Sequence, residues 1–113
     1  MATDKNNLEK RIFDLHARVC KTLSHSKRLE IIELLRDDKE WGVSEIAEKL
    51  GITKANASQH LAIMRGQNIV KTRREGITIL YSLANTKILV AYDALRKALK
   101  EQLETNGKLL EKF

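Results

Sequence analysis

The N-terminal third of the chain has apolar positions spaced for two amphipathic helices. From residue 7 to about residue 23, apolar residues recur at steps of four and three, as one face of a helix requires. They are Leu8, Ile12, Leu15, Val19 and Leu23. A second helix is predicted next, with Ser24 or Ser26 as its N-cap and an end at residues 36–38. Its apolar residues are Leu29, Ile31, Ile32, Leu34 and Leu35.

Two shorter helices joined by a tight corner are predicted after a connector at residues 39–42. Ser44 is expected to cap the third helix, and Gly51 is expected to end it because glycine accepts the left-handed conformation. Thr53 is expected to cap the fourth helix, which Gly66 closes. The predicted inward residues are Ile46, Ala47 and Leu50 on the third helix, and Ala57, Leu61 and Met64, with help from Ile63, on the fourth.

The remaining pattern predicts a β-hairpin and a final helix. Residues 69–74 and 77–82 alternate like two strands, with Glu75 and Gly76 at the tip. The last helix is expected to start near Asn85 or Thr86 and to weaken around residues 106–107. Its apolar residues are Ile88, Tyr92, Leu95, Leu99 and Leu103. The fold class is therefore mainly α with a two-stranded β wing, a winged helix-turn-helix in a single domain over residues 1–113.

Basic side chains concentrate on the predicted helix-turn-helix and wing. Residues 51–74 contain five basic side chains and no acidic one, whereas the whole chain has a formal net charge of +6. The five are Lys54, Arg65, Lys71, Arg73 and Arg74. Two short helices followed by a basic hairpin are typical of proteins that place one helix in the major groove. Because a polyanion would release counterions here, we expect double-stranded DNA as the partner rather than a basic face without function.

The outward residues of the fourth helix are the candidates for reading DNA. Lys54 is placed to reach guanine acceptors or a phosphate, and Asn56 and Gln59 can pair with an adenine edge. Ser58 and Thr53 are expected to hold phosphates, although Thr53 should mainly cap its helix. For His60 we expect packing between helices in preference to a base contact. The wing candidates, for phosphates or the minor groove, are Lys71, Arg73 and Arg74.

The first and last helices have apolar stripes longer than a small core would require. Such stripes would be exposed patches on a monomer, so we expect a two-fold homodimer that spaces its reading helices about one DNA turn apart on a near-palindromic operator. The alternative is that both helices fold back within one subunit. The expected interface residues are Leu8, Ile12, Leu15, Val19, Ile88, Tyr92, Leu95 and Leu99.

Composition excludes several other classes of protein. No run approaches the roughly 18 apolar residues of a membrane span, so we expect no membrane association and a cytoplasmic location. The chain has one cysteine, which excludes an internal disulfide. It has no glycine-rich phosphate loop, and Ser58 and His60 diverge because they are two apart on a helix. We therefore expect neither an enzyme nor a cofactor, and a protein-interaction module remains the alternative to a DNA reader.

One long run resembles the ArsR/SmtB family of winged-helix repressors. It reads KTLSHSKRLEIIELLRDDKEWGVSEIAEKLGITKANASQHLAIMRGQNIVKTRREGITILYSL, and the resemblance covers roughly residues 17–100. The matching parts are the helix KxLSxxxRLxIIxLL, the helix-turn-helix VSEIAEKLGITxxxxSQHL and the wing RREGxxxxYSL. The resemblance implies a homodimer that represses transcription sterically and that an effector releases from its operator.

The effector sites of this family are not intact in the chain. The stretch that holds a cysteine pair in arsenic, cadmium or lead sensors is residues 40–46 here, without a thiol. The last helix has no histidine for zinc or cobalt, and Asp93 stands without a partner ligand. Glu33 and Tyr92 lie where persulfide sensors have cysteines. The effector is therefore unknown.

His16, Cys20 and His25 are the soft ligands that lie close together in sequence. His16 and Cys20 are four apart on a helix and share a face, so they could ligate one metal with help from His25 or a second subunit. Cys20 could also be a redox-responsive thiol. The bland alternative, which we favour, is that Cys20 is a small buried residue and His16 a surface or interface histidine. We expect no metal site.

Overall fold

The computed structural model describes residues 2–106, with side chains from residue 5 onward. The elements within this range are α1 (Ala2–Thr22), α2 (Ser26–Leu34), β1 (Trp41–Gly42), α3 (Val43–Leu50), α4 (Lys54–Gly66), β2 (Val70–Glu75), β3 (Thr78–Leu83) and α5 (Lys87–Thr105). The winged helix-turn-helix fold is confirmed. The expected start of the first helix at residue 7 was wrong, since α1 begins at Ala2. α5 ends before its C-cap Asn106, where the helix was expected to weaken, and Gly107 lies outside the described residues.

The core lies between α2, α3, α4 and the sheet. Its largest fully buried side chains are Ile31, Ile32, Leu35, Ile46, Leu61, Met64, Ile69 and Val70. The predicted inward faces of α3 and α4 are thereby confirmed, except at Ile63, which is 44% exposed. With 3.6 residues per turn, the row of Ala57, Leu61 and Met64 defines one face of α4, and Ile63 lies outside it.

The corner between α3 and α4 has the predicted turn chemistry. Gly51 has a φ of +67°, in the left-handed region that glycine accepts at a helix C-terminus. The Ile52 amide then donates to the Ala47 carbonyl at 3.0 Å. Thr53 caps α4, because its Oγ1 accepts the Asn56 amide at 3.1 Å. These two residues set the direction in which α4 leaves the corner.

The predicted caps of α2 and α3 were wrong. His25 caps α2, since its Nδ1 accepts the Lys27 amide at 3.2 Å, whereas the Ser24 hydroxyl donates backward to the Lys21 carbonyl at 2.6 Å. Gly42 caps α3 instead of Ser44, and the Gly42 amide donates to Glu45 Oε1 at 3.3 Å. A tertiary constraint explains the second difference, because the strand pairing of Gly42 starts α3 earlier than a serine cap would.

The sheet has three strands instead of the predicted two. β1 pairs antiparallel with β3, so the order is β1-β3-β2 and the supposed connector contains a strand. The hairpin turn lies at Gly76 and Ile77, one residue later than expected, because Glu75 pairs with Thr78. Gly76 has a φ of +62°, as the first central position of a type II′ turn requires. Gly66 is the last residue of α4, and the residue with a positive φ after this helix is Asn68.

The N-terminal half of α5 is held to α2 by a buried tyrosine and an ion-pair cluster. Tyr92 belongs to the core of the subunit, so its side chain supports the inner side of α5 in the single chain. Asp93 forms an ion pair with Arg36, which donates to its two carboxylate oxygens at 2.6 and 3.1 Å. Arg36 also contacts Glu33 at 2.9 Å. These hydrogen bonds lower the pKa of both carboxyl groups, while burial raises the pKa of Tyr92.

The distal parts of α1 and α5 extend away from the core. The Cα radius of gyration is 16.9 Å, whereas a compact domain of this length would measure about 13 Å. Val19, Ile88 and Leu89 pack against the core, but seven large apolar side chains along both helices are 49–71% exposed. They are Leu8, Ile12, Phe13, Leu15, Val90, Leu95 and Leu99. Among residues 2–106, no helix is long and apolar enough to cross a membrane.

Replacing Leu61 with alanine should test the anchoring of α4. Leu61 is fully buried, so L61A should lower the free energy of unfolding by about 2–5 kcal/mol through lost burial and a residual cavity. Urea unfolding at one fixed protein concentration measures this change. The matched control is I63A on the exposed side of the same helix, which should change stability by less than about 1 kcal/mol. Equal losses in the two variants would contradict the packing described.

Candidate nucleic-acid interface

The outward face of α4 presents a row of exposed polar side chains. Lys54, Asn56, Ser58 and Gln59 are all exposed, as predicted, while the opposite face is buried. Lys54 and Ser58 are four residues apart and Asn56 and Gln59 three apart, so each pair lies on neighbouring turns. The row therefore offers a cation, a hydroxyl and two amides, the groups that bind phosphates and base edges.

The wing carries its cations on two opposite faces, which the sequence analysis did not distinguish. Successive side chains alternate across a strand, and directly paired residues share a face. Arg74 pairs with Ile79, and Thr72 with Tyr81. Ile79 and Tyr81 line a cleft together with Lys54 and Ser58 of α4. Arg74 therefore lies on the face of the wing that is turned toward α4.

Lys71 and Arg73 lie on the other face, beside acidic residues. Arg73 donates Nε and Nη2 to the two oxygens of Glu40 at 2.9 and 2.8 Å, and Nη2 also contacts Glu75 at 3.0 Å. These bonds lower the pKa of Glu40 and raise that of Arg73, and Lys71 lowers the pKa of Glu40 further. The charge of Arg73 is thus balanced within the subunit, whereas Arg74 donates Nε to the Gly76 carbonyl at 3.1 Å and is exposed.

His60 packs between helices. It is half-buried on α4, and its Nδ1 accepts the Nε–H of Arg28 at 3.1 Å. Its ring centroid lies 4.5 Å from that of His25. Burial lowers the pKa of His60, and the neighbouring His25 and Arg28 lower it further. This placement fits the packing role expected for His60.

The soft ligands of the N-terminal region do not form a metal site in this subunit. Cys20 is exposed, so its interpretation as a small buried residue was wrong for the single chain. His16 is exposed on the same helix, and Nδ1 of His25 is occupied by the cap of α2. Across residues 5–106, no group of three histidine, cysteine, aspartate or glutamate side chains is arranged to hold a metal ion.

Sequence reasoning missed Arg28 and Glu40, which touch two of the candidate residues. Arg28 lies 32 positions before His60 and Glu40 lies 33 positions before Arg73. No local spacing links residues so far apart. The sequence offered only a weak signal for them. Arg28 is a charged residue on α2 and Glu40 one directly before β1, and the fold brings these elements against the helix-turn-helix and the wing.

Comparison with known proteins agrees with this geometry. The model of the bacterial regulatory protein arsR family matches residues 25–72. Rv0081 of Mycobacterium tuberculosis, an uncharacterized HTH-type transcriptional regulator, is 33% identical over 101 residues, with 88% of each chain covered. The chain belongs to the ArsR family. It is a DNA-binding transcriptional regulator and not an enzyme, as the sequence motifs had indicated.

Two further relatives of this ArsR protein extend the comparison. Mb0332 of Mycobacterium bovis, described as a homodimeric winged helix-turn-helix DNA-binding domain, superposes with a TM-score of 0.78 at 30% identity, over 87% of this chain and 90% of that one. PagR of Bacillus anthracis, a transcriptional repressor, is 38% identical over 72 residues, which cover 64% of this chain and 72% of PagR.

Substituting Glu40 with glutamine should reveal how much of the wing's charge is neutralised internally. E40Q removes the carboxylate that accepts two of the three hydrogen bonds from Arg73, so the affinity for random-sequence duplex should rise. The slope of log K against log salt should steepen by about 0.9, as expected for one additional phosphate contact. Fluorescence anisotropy across a salt series measures both quantities.

The control for this change is Glu101, an exposed residue of α5. E101Q alters the net charge by the same amount without freeing a wing cation, so its salt slope should match that of the wild type. A common slope for E40Q, E101Q and the wild type would show that Arg73 does not gain access to phosphates.

Proposed function

We propose that this ArsR regulator acts as a homodimeric repressor that binds a near-palindromic operator and blocks transcription sterically. The observation that carries the proposal is the exposed polar face of α4, which stands beside a cationic wing and opposite a fully buried face. Residues 1–113 would serve as one domain that reads DNA with its centre and dimerises with its end helices. Such a protein would act in the cytoplasm, where its operator is.

The proposed contacts divide into base readers and phosphate holders. Asn56 and Gln59 would pair with base edges, while Lys54 would reach a guanine or a phosphate. Phosphates would be held by Ser58, Thr53, Lys71 and Arg74. Arg73 would add a further phosphate contact only where its bonds with Glu40 are released, and His60 would support α4 from behind.

The exposed stripes of α1 and α5 support the dimer. Leu8, Ile12 and Leu15 on α1, and Leu95 and Leu99 on α5, leave apolar surface in water that a two-fold partner would cover. Val19, Ile88 and Tyr92 would support this interface from the core side. The homodimer described for Mb0332 fits this arrangement.

Gln59 and Arg74 should separate base reading from phosphate binding. Q59A should reduce the affinity for a duplex selected from a random pool by the wild-type protein by about 1–3 kcal/mol, with little change for a scrambled duplex. R74A should weaken both duplexes about equally and reduce the salt slope by about one. Gel shift across a salt series measures all four affinities.

Two outcomes would refute these assignments. An equal loss on both duplexes for Q59A would remove it from the base readers. Absence of any duplex binding by the wild type at low salt would favour a protein-interaction module. A reporter gene placed behind the selected duplex tests the sign of regulation, since expression that rises when the regulator is produced would contradict repression.

Leu95 should test the dimer interface. L95E would place a charge in the stripe, so the protein should shift from dimer to monomer in sedimentation equilibrium and lose most of its operator affinity, because a single reading helix pair would then bind alone. The control K97E introduces the same side chain about half a turn away from the stripe on α5. If L95E and K97E sediment alike, α5 does not form the interface.

A further inference from the structure

Arg28 connects the end of α1 to the recognition helix α4. Its Nε–H donates to Nδ1 of His60 at 3.1 Å, and its Nη1 donates to the carbonyl of Thr22 at 3.0 Å. Thr22 is the last residue of α1, so this carbonyl belongs to the C-terminal turn, which has no partner inside its own helix. One guanidinium thus joins the proposed dimerisation helix to the helix that carries the proposed base readers.

The direction of this hydrogen bond determines the charge of His60. A guanidinium is always protonated and can only donate, so Nδ1 of His60 must carry a lone pair. The imidazole is therefore neutral while the connection exists. A proton on Nδ1 would replace an acceptor with a donor and would place a second positive charge next to Arg28.

We propose that Arg28 is a positioning residue that holds α4 in register through His60, and that protonation of His60 opens this connection and lowers the selectivity of DNA binding. The inference rests on the proposed function, since it concerns the same face of α4. Gln59 immediately precedes His60, so a displacement at His60 moves a proposed base reader directly. The added positive charge does not weaken phosphate binding, so selectivity should fall more than total affinity.

The surroundings of His60 set the direction of the pH effect. The charged and titratable groups that face its ring are His25 and Arg28, both from the α2 side. Lys27 is directed away, to the Leu50 carbonyl at 3.2 Å and to Glu30 at 3.1 Å. Burial, His25 and Arg28 all lower the pKa of His60 below its ordinary value of about 6.5.

The sign of the linkage follows from that shift. In the unfolded chain, the proton binds His60 near pH 6.5, whereas in the folded subunit it binds only at lower pH. The contribution of His60 to stability is therefore complete above about pH 6.5. It declines as the pH falls toward the lower folded pKa, and the connection through Arg28 opens around that folded value.

The test compares a duplex selected by the wild-type protein at pH 7.5 with a scrambled duplex of equal composition. We expect the ratio of the two affinities, measured at constant ionic strength from pH 8.0 to pH 5.0, to fall by about tenfold, as expected for the loss of one hydrogen bond to a charged group. H60N supplies an Oδ1 that can accept from Arg28 and does not titrate, so its ratio should stay level across this range.

Two further variants make the assignment specific. H25N keeps a good N-cap for α2 and removes the second imidazole, so the midpoint of the decline should move to higher pH. H16N removes the exposed histidine of α1 and should keep the wild-type midpoint. The imidazole resonances of the free protein provide a readout without DNA, since the pKa of His60 should lie below its ordinary value of about 6.5.

The outcomes distinguish this inference from the proposed function. Selective binding at pH 7.5 that does not change with pH would overturn the role of His60 and leave the proposed function intact. A wild-type decline that persists unchanged in H60N would overturn it as well. Absence of any preference for the selected duplex at pH 7.5 would overturn the proposed function and this inference with it.

Discussion

The burial of one face of α4 is the constraint on which the recognition surface depends. Ala57, Leu61 and Met64 are fully buried, and each would leave a cavity if the helix turned about its axis. Since a large buried side chain typically contributes about 2–5 kcal/mol, rotation of α4 is strongly opposed. The outward direction of Lys54 and Gln59 follows from this anchoring, so the polar face is oriented before any DNA is present.

The wing obeys a different constraint, because Arg73 on one of its faces is paired with carboxylates whereas Arg74 on the other face donates only to a backbone carbonyl. Arg74 stands on the side of α4, whereas Arg73 is held by Glu40 and Glu75 on the far side. The five basic residues of positions 51–74 therefore do not act as one uniform patch. Ion pairs between exposed side chains contribute little to stability, so Arg73 is better regarded as a conditional contact, which a phosphate gains when Glu40 releases the guanidinium.

The parts of the fold that were predictable are those decided by neighbouring residues. Helical periodicity identified the buried faces of α3 and α4, and the corner depends on the left-handed backbone of Gly51 and the side-chain cap of Thr53, which are both local. The unpredicted features depend on distant partners. Trp41 lies in a strand only because β3 returns beside it, and Arg73 meets Glu40 across 33 positions. The sequence therefore predicted the row of side chains in the candidate site. It did not predict the hydrogen bonds that Arg28 and Glu40 form with His60 and Arg73.

The cations at the two ends of α2 connect the DNA-reading part of the subunit to its outer helices. At the N-terminal end, Lys27 donates to the last residue of α3, and Arg28 joins α1 to α4. Just beyond the C-terminal end, Arg36 holds α5 through Asp93. Because α2 is itself packed into the core by Ile31 and Ile32, a displacement of either outer helix would reach α4 through this one element. A rigid element with discrete contacts at both ends is one way in which a dimer interface and a DNA site can be coupled, and the contacts of α2 provide such an element.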